Sequence, residues 1–140
     1  MPIKSGILES MSKYWKGSQI THRLMYHLVW IPKYRKRILK GKVAIRVKEL
    51  LNECADMNRW KIEELNIQPD HIHLLVRMRP EISVSRMVQL FKGMSSKIIR
   101  EEFSELKEFL WGKSFWADGY FAETSGQINE EKIREYIRNQ

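Results

Sequence analysis

The chain has 140 residues, with 25 Lys+Arg against 17 Asp+Glu, a formal net charge of +8 and a sequence pI near 9.7. That length suits one domain, and 43% hydrophobic residues suffice for one core. The charge points to a polyanionic partner, nucleic acid first. No apolar run approaches the roughly 20 residues that span a bilayer and no basic helix shows a clean apolar face, which argues against a membrane partner.

Residues 1–19 mix Gly, Ser and Lys without periodicity and read as a loosely held basic arm, with the domain proper over 20–140. The arm lacks the continuous apolar run of a secretory signal, so the expectation is a cytoplasmic protein. The stretch LMYHLVW, residues 24–30, is β-branched and aromatic and stops before Pro32, as a buried strand does. A basic turn, PKYRKR, follows. Gly41 opens a first helix with apolar residues at 43, 47, 50, 51, 54 and 57. The lone Cys54 on it cannot form an internal disulfide or a cysteine-rich zinc site and reads as a small buried apolar side chain.

Two short strand-like runs come next, WKIEELNI and HIHLLVRM, separated by QPD, whose Pro and Asp favour the turn of a hairpin. Pro80 ends the second. Helical spacing returns at Met87, Leu90, Phe91, Met94, Ile98 and Ile99, with Gly93 a weak point. After Trp111, SFWADGYFAET reads as an irregular strand, and Asn129 is placed to cap a last helix, EEKIREYIRNQ. The order β-α-β-β-α-β plus a C-terminal helix predicts an α+β, ferredoxin-like fold: a four-stranded antiparallel sheet with helices on one face.

In that plan the HIHLLVRM strand is central. Alternation puts Ile72, Leu74 and Val76 under the helices and His71, His73 and Leu75 on the other face. The two imidazoles then stand side by side, roughly 7 Å apart at their roots, near enough to share one ion. Exposed or hydrogen-bonded histidines are also ordinary, so a metal site needs further donors. Two neutral imidazoles favour Mn²⁺ over Mg²⁺ unless oxygen donors complete the shell. On the last helix Ile133, Tyr136, Ile137 and Gln140 form an i, i+3, i+4, i+7 stripe, so a phenol and an amide project together. The same spacing serves a tyrosine that packs against Ile133 and a glutamine at a frayed end. Among the other tyrosines, Tyr26 and Tyr120 read as core or sheet residues, and Tyr34, between Lys33 and Arg35, as a base-stacking partner. Lys33, Arg35, Lys36 and Arg37, with Lys92, Lys97 and Arg100 on or near the second helix, are candidate phosphate contacts or a solvated basic surface.

Taken together, YHLVWIPKYRKRIL, QPDHIHLLV, FKGMSSKIIR, GYFAETSG and the terminal YIRNQ, in this order and at these separations, resemble the single-tyrosine HUH transposases of the insertion sequence 200/605 family, from about residue 22 to the C-terminus. The resemblance implies that His71 and His73 are the HUH metal ligands, Gln140 the third ligand to Mg²⁺ or Mn²⁺, and Tyr136 the nucleophile. It further implies cleavage and rejoining of single-stranded DNA at hairpin-bearing element ends through a 5′-phosphotyrosine, without ATP. The implied enzyme is a homodimer whose tyrosine helix docks on its own subunit or on the partner, with Gly126 as a candidate hinge. Two other readings stand beside it: a related single-tyrosine nuclease acting on repeats or replication origins, and a non-catalytic ferredoxin-like RNA-binding module.

Overall fold

A computed structural model describes residues 24–110, 113–124 and 130–140. The arm over 1–19, the domain start near Ile20, Trp111, the hinge candidate Gly126 and the cap candidate Asn129 lie outside the described residues.

The strands are β1 (Leu24–Trp30), β2 (Lys61–Gln68), β3 (His71–Met78) and β4 (Phe121–Thr124). They form one antiparallel sheet in the order β2-β3-β1-β4, the ferredoxin-like order, with β3 and β1 in the middle. A bulge between Ile62 and Glu64 interrupts the outer strand β2. The irregular run after residue 113 keeps only Phe121–Thr124 as ladder; upstream of it, Trp116 makes an isolated bridge to Pro32.

Helices α1 (Gly41–Asn58) and α2 (Val84–Glu102) pack on one face of this sheet. Along α1 the buried side chains are Val47, Leu50, Leu51, Cys54 and Ala55, an i, i+3, i+4, i+7, i+8 stripe. Met57, expected on that stripe, is instead 75% exposed. At 100° per residue it lies about 90° from the stripe's centre and in the last turn, where no neighbour covers it. Helix α2 starts at an N-cap, Ser83, whose hydroxyl accepts from the Arg86 amide at 3.1 Å. Gly93 stays within the helix, and a methyl group there would meet no atom within 4 Å.

The core lies between the sheet and these helices. From the sheet come Leu28, Trp30, Ile72, Leu74, Val76 and Met78; from the helices come the α1 stripe with Met87, Phe91 and Ile99. Each fully buried aliphatic or aromatic side chain of this kind stabilises the fold by roughly 1.5–3 kcal/mol. Trp30 stacks on Phe91 at 5.8 Å and meets Trp116 edge-on at 6.0 Å. Burial pushes the Cys54 thiol up to about 11, as expected for a thiol serving as a small apolar side chain.

Sequence periodicity alone would bury Leu90, Met94 and Ile98 of α2 along with Met87, Phe91 and Ile99. The first three pack half-buried at the margin, and Val88, Ser95 and Ser96 are buried instead. The serines earn that position by hydrogen bonding. Ser95 accepts from the Trp116 indole at 2.8 Å while donating to Phe91 O at 2.6 Å, and Ser96 accepts from the Phe115 amide at 3.0 Å. They tie the segment leading into β4 to the helix. A short helix α3 (Lys107–Leu110) and the terminal helix α4 (Glu130–Arg138) complete the described elements.

Candidate functional site

The strand alternation inferred for β3 holds throughout. Ile72, Leu74, Val76 and Met78 are buried, whereas His71, His73, Leu75 and Arg77 are half-buried on the face away from α1 and α2. Directly opposed residues of an antiparallel pair share a face. Asn66, His73, Val29 and Phe121 therefore make one row across all four strands, and Glu64, Leu75, His27 and Glu123 make the next. An open depression of about 440 Å³, lined by Glu64, Asn66, His73 and Leu75 among others, lies beside His73.

Both histidines are oriented by neighbours. His71 Nδ1 is 3.0 Å from Asp70 Oδ1, so the imidazole donates from Nδ1 and keeps Nε2 free as a lone-pair donor. His73 Nε2 is 3.2 Å from His27 Nδ1, with the rings 5.3 Å apart, and His27 is only 4% exposed. One of these two nitrogens carries the shared proton. A cation bound by His73 in this arrangement would take Nδ1, and the tautomer that allows it makes His73 the donor and His27 the acceptor. Among the described residues no three His, Cys, Asp or Glu side chains form a group that could hold a metal ion. A cation at His71 and His73 therefore needs a donor of another type, and the carboxamide oxygen of Gln140 is one.

Helix α4 carries the proposed nucleophile to the same face. Its Ile133 is 7% exposed, and the Tyr136 ring lies 6.1 Å from Phe121, which stands two strands, about 10 Å, along the row from His73. The Tyr136 hydroxyl is buried without a hydrogen-bond partner, and desolvation holds its pKa above the ordinary phenol value. Gln140 follows the end of α4, exposed, its backbone N–H donating to Ile137 O at 3.5 Å.

The basic candidates divide into two groups. Lys33, Tyr34 and Arg35 form a 3-10 turn in which Tyr34 and Arg35 both have left-handed backbone, φ 61° and 50°. Such conformations cost non-glycine residues about 1–3 kcal/mol each and persist where the surroundings enforce them. Here Lys33 N donates to Phe115 O at 2.8 Å and Arg35 N to Pro32 O at 2.9 Å. The Tyr34 ring is 46% exposed with Lys33 Nζ 5.8 Å from its centre, and Arg37 is exposed. Arg35, by contrast, is engaged within the protein while 38% of its side chain stays exposed: Nη1 donates to Ile137 O of α4 at 2.7 Å, and Nε lies 3.9 Å from Asp70 Oδ2. Lys92 and Lys97 stand on α2, in the other layer. Lys92 Nζ donates to Ala117 O at 2.8 Å and Gly119 O at 2.6 Å, and burial lowers its pKa to about 8. Lys97 is exposed beside Arg100 and Lys107.

Sequence reasoning passed over His27, Asp70 and Phe121. For Asp70 the signal was adjacency to His71. For His27 it was the alternation of LMYHLVW, which puts His27 and Val29 on one face and Leu28 and Trp30 on the other.

The model of a family described as "Transposase IS200 like" matches residues 20–140. The ISDra2 transposase TnpA of Deinococcus radiodurans is 34% identical over 125 residues, covering 89% of this chain and 89% of its own length. A transposase for insertion sequence element IS200 from Salmonella typhimurium is 36% identical over 115 residues, covering 82% of this chain and 75% of its own length. The crystal structure of a Deinococcus radiodurans protein superposes with a TM-score of 0.80 at 33% identity, over 89% of this chain and 96% of that one. A REP-associated tyrosine transposase bound to a REP hairpin shares the fold at a TM-score of 0.53 and 12% identity, over 84% and 63% of the two chains.

Proposed function

This chain belongs to the IS200-like transposase family, and from that premise we propose that it cleaves and rejoins single-stranded DNA at hairpin-bearing element ends, with Tyr136 as nucleophile. The observation that carries the reading is the single open sheet face: His71 and His73 stand on it side by side, and the helix bearing Tyr136 packs against the same face through Phe121.

The residues fit a divalent ion, Mg²⁺ or Mn²⁺, held by His71, His73 and the carboxamide oxygen of Gln140. When bound, such an ion offsets the negative charge of a phosphodiester and orients its phosphorus for in-line attack. The protein's own groups do the rest. Asp70 and His27 fix the imidazoles in orientation and tautomer. The Tyr136 oxygen, once deprotonated, bonds to phosphorus; the bond from phosphorus to the 3′ oxygen breaks, and that oxygen leaves as a 3′-hydroxyl after taking a proton. The product is a 5′-phosphotyrosine. A phenol of pKa about 10 leaves more readily than an aliphatic alcohol, so a 3′-hydroxyl from another DNA end displaces it and rejoins the strand. The tyrosyl ester conserves the phosphodiester's free energy, and ATP is not required.

Lys33, Tyr34 and Arg37, in the turn that follows β1, meet the strand's phosphates and bases. The working form is a homodimer. Labelled hairpin single-stranded DNA incubated with the protein and Mn²⁺ is expected to give a protein–DNA adduct that survives denaturant, and Tyr136→Phe to abolish the adduct while leaving DNA binding nearly intact. An adduct formed by Tyr136→Phe would remove Tyr136 as the nucleophile; no adduct from the wild-type chain across matched ends would favour a binding module.

A further inference from the structure

We propose that Arg35 is a positioning residue that locks the tyrosine-bearing helix α4 to the histidine end of β3 within the same chain, and is not one of the DNA contacts. The inference rests on the reading of Tyr136 as nucleophile. The peptide carbonyl that Arg35 holds, at 2.7 Å, belongs to Ile137, the residue after Tyr136. That carbonyl sits in the last turn of α4, where helix carbonyls lack regular intrahelical donors and the negative end of the helix dipole favours a cation.

The other side of the guanidinium faces Asp70 at 3.9 Å, and Asp70 in turn accepts from His71 Nδ1 at 3.0 Å. One side chain thus touches both the helix of the nucleophile and the carboxylate that orients a metal-ligating imidazole. A rotation or slide of α4 that moved Tyr136 would pull on the Ile137 bond. Chain distance makes the connection specific, since Arg35 and Ile137 are 102 residues apart.

The turn that presents Arg35 is built for aim. Two successive left-handed residues without glycine shape the turn from which its side chain reaches α4, and the turn is anchored at Phe115 O and Pro32 O. A few residues on, Leu39 N donates to Pro69 O at 3.1 Å, tying the same segment to the β2–β3 turn that contains Asp70. A phosphate-binding arginine offers its forked donors and its full charge to the ligand, whereas Arg35, although 38% of its side chain is exposed, already commits two of its nitrogens within the chain. Here Nη1 and Nε face Ile137 O and Asp70, and the charge is partly offset by that carboxylate.

The test measures adduct formation with hairpin single-stranded DNA and Mn²⁺ as a function of DNA concentration, for wild type, Arg35→Ala and Arg35→Lys. A positioning arginine predicts that the rate at saturating DNA falls at least tenfold in Arg35→Ala with Kd within twofold, Arg35→Lys lying between. A raised Kd with an unchanged saturating rate makes Arg35 a DNA contact and overturns the proposal. Amide hydrogen exchange of the DNA-free protein gives a second readout independent of catalysis: Arg35→Ala is expected to speed exchange in 133–138 while β1 and β3 stay protected. Unchanged exchange in 133–138 would also overturn it. If the wild type forms no adduct but α4 loosens in Arg35→Ala, the catalytic reading fails and the lock stands.

Discussion

The sheet has two faces, and they are assembled by different rules. Beneath α1 and α2 every β3 residue on that face is apolar and buried, and, the hydrogen-bonded Ser95 and Ser96 aside, the packing is supplied by volume: Leu28, Leu74 and Phe91 fill space. On the opposite face the same strand presents His71, His73 and Arg77, and its neighbours are chosen by bonding: Asp70 for His71, His27 for His73. One strand therefore serves stability and chemistry at once, separated by nothing more than the alternation of its side chains. Mutations that fail on the first face should unfold the protein, while those on the second should leave a folded, inactive one.

The largest expected effect tests the second half of that contrast. His71→Ala should cut adduct formation by roughly 100-fold or more if His71 holds the proposed ion, while thermal unfolding stays close to wild type. Unfolding in parallel with inactivity would show that the open face also carries the fold. The first half is tested by neighbours on one strand. Leu74→Ala, at a site with 0% exposure, should cost about 2–5 kcal/mol in urea denaturation, and Leu75→Ala, half-buried on the open face, under about 1 kcal/mol. Equal costs would erase the distinction.

Smaller effects come from titration, where desolvation acts with opposite sign in the two regions. Burial raises the phenol of Tyr136, so it is protonated at neutral pH, and the adduct rate should climb with pH by up to about tenfold per unit between roughly pH 7 and 9. A flat profile would mean that bond-making to phosphorus does not limit the rate. Burial lowers Lys92, on the helical side, to about 8 from 10.5. Between those values the unfolded chain binds the extra proton, so stability should rise as pH goes from 8 to 10.5 and stay level below 8, where both states are protonated. The Lys92→Met variant should lose that slope, measured by urea midpoints across the range.

Most of the architecture was legible because it repeats locally. Period two in HIHLLVRM and period 3.6 in the two long helices are visible in any window of a few turns, and they were enough to place His71 and His73 on the face away from the helices. What escaped was everything that depends on register between distant segments. His27 meets His73 diagonally, across 46 residues of chain, and no pattern within LMYHLVW sets the register that brings them together. The buried pair Ser95 and Ser96 escaped because hydroxyls count as polar until the indole and amide they satisfy are known. Arg35 looked like one of four equivalent cations in PKYRKR; its reach to Ile137 O depends on a left-handed turn that no glycine or asparagine announces.

The bulge in β2 bears on a different hazard. An outermost strand of eight residues offers a ladder of backbone groups to any passing chain, the geometry from which fibrils and inclusion bodies grow. Slipping one residue out of register between Ile62 and Glu64, and setting exposed Lys61, Glu64, Asn66 and Gln68 along that border, makes the rim a poor template for indiscriminate stacking. A protein with a sticky aromatic interior can thereby stay dispersed when its concentration rises.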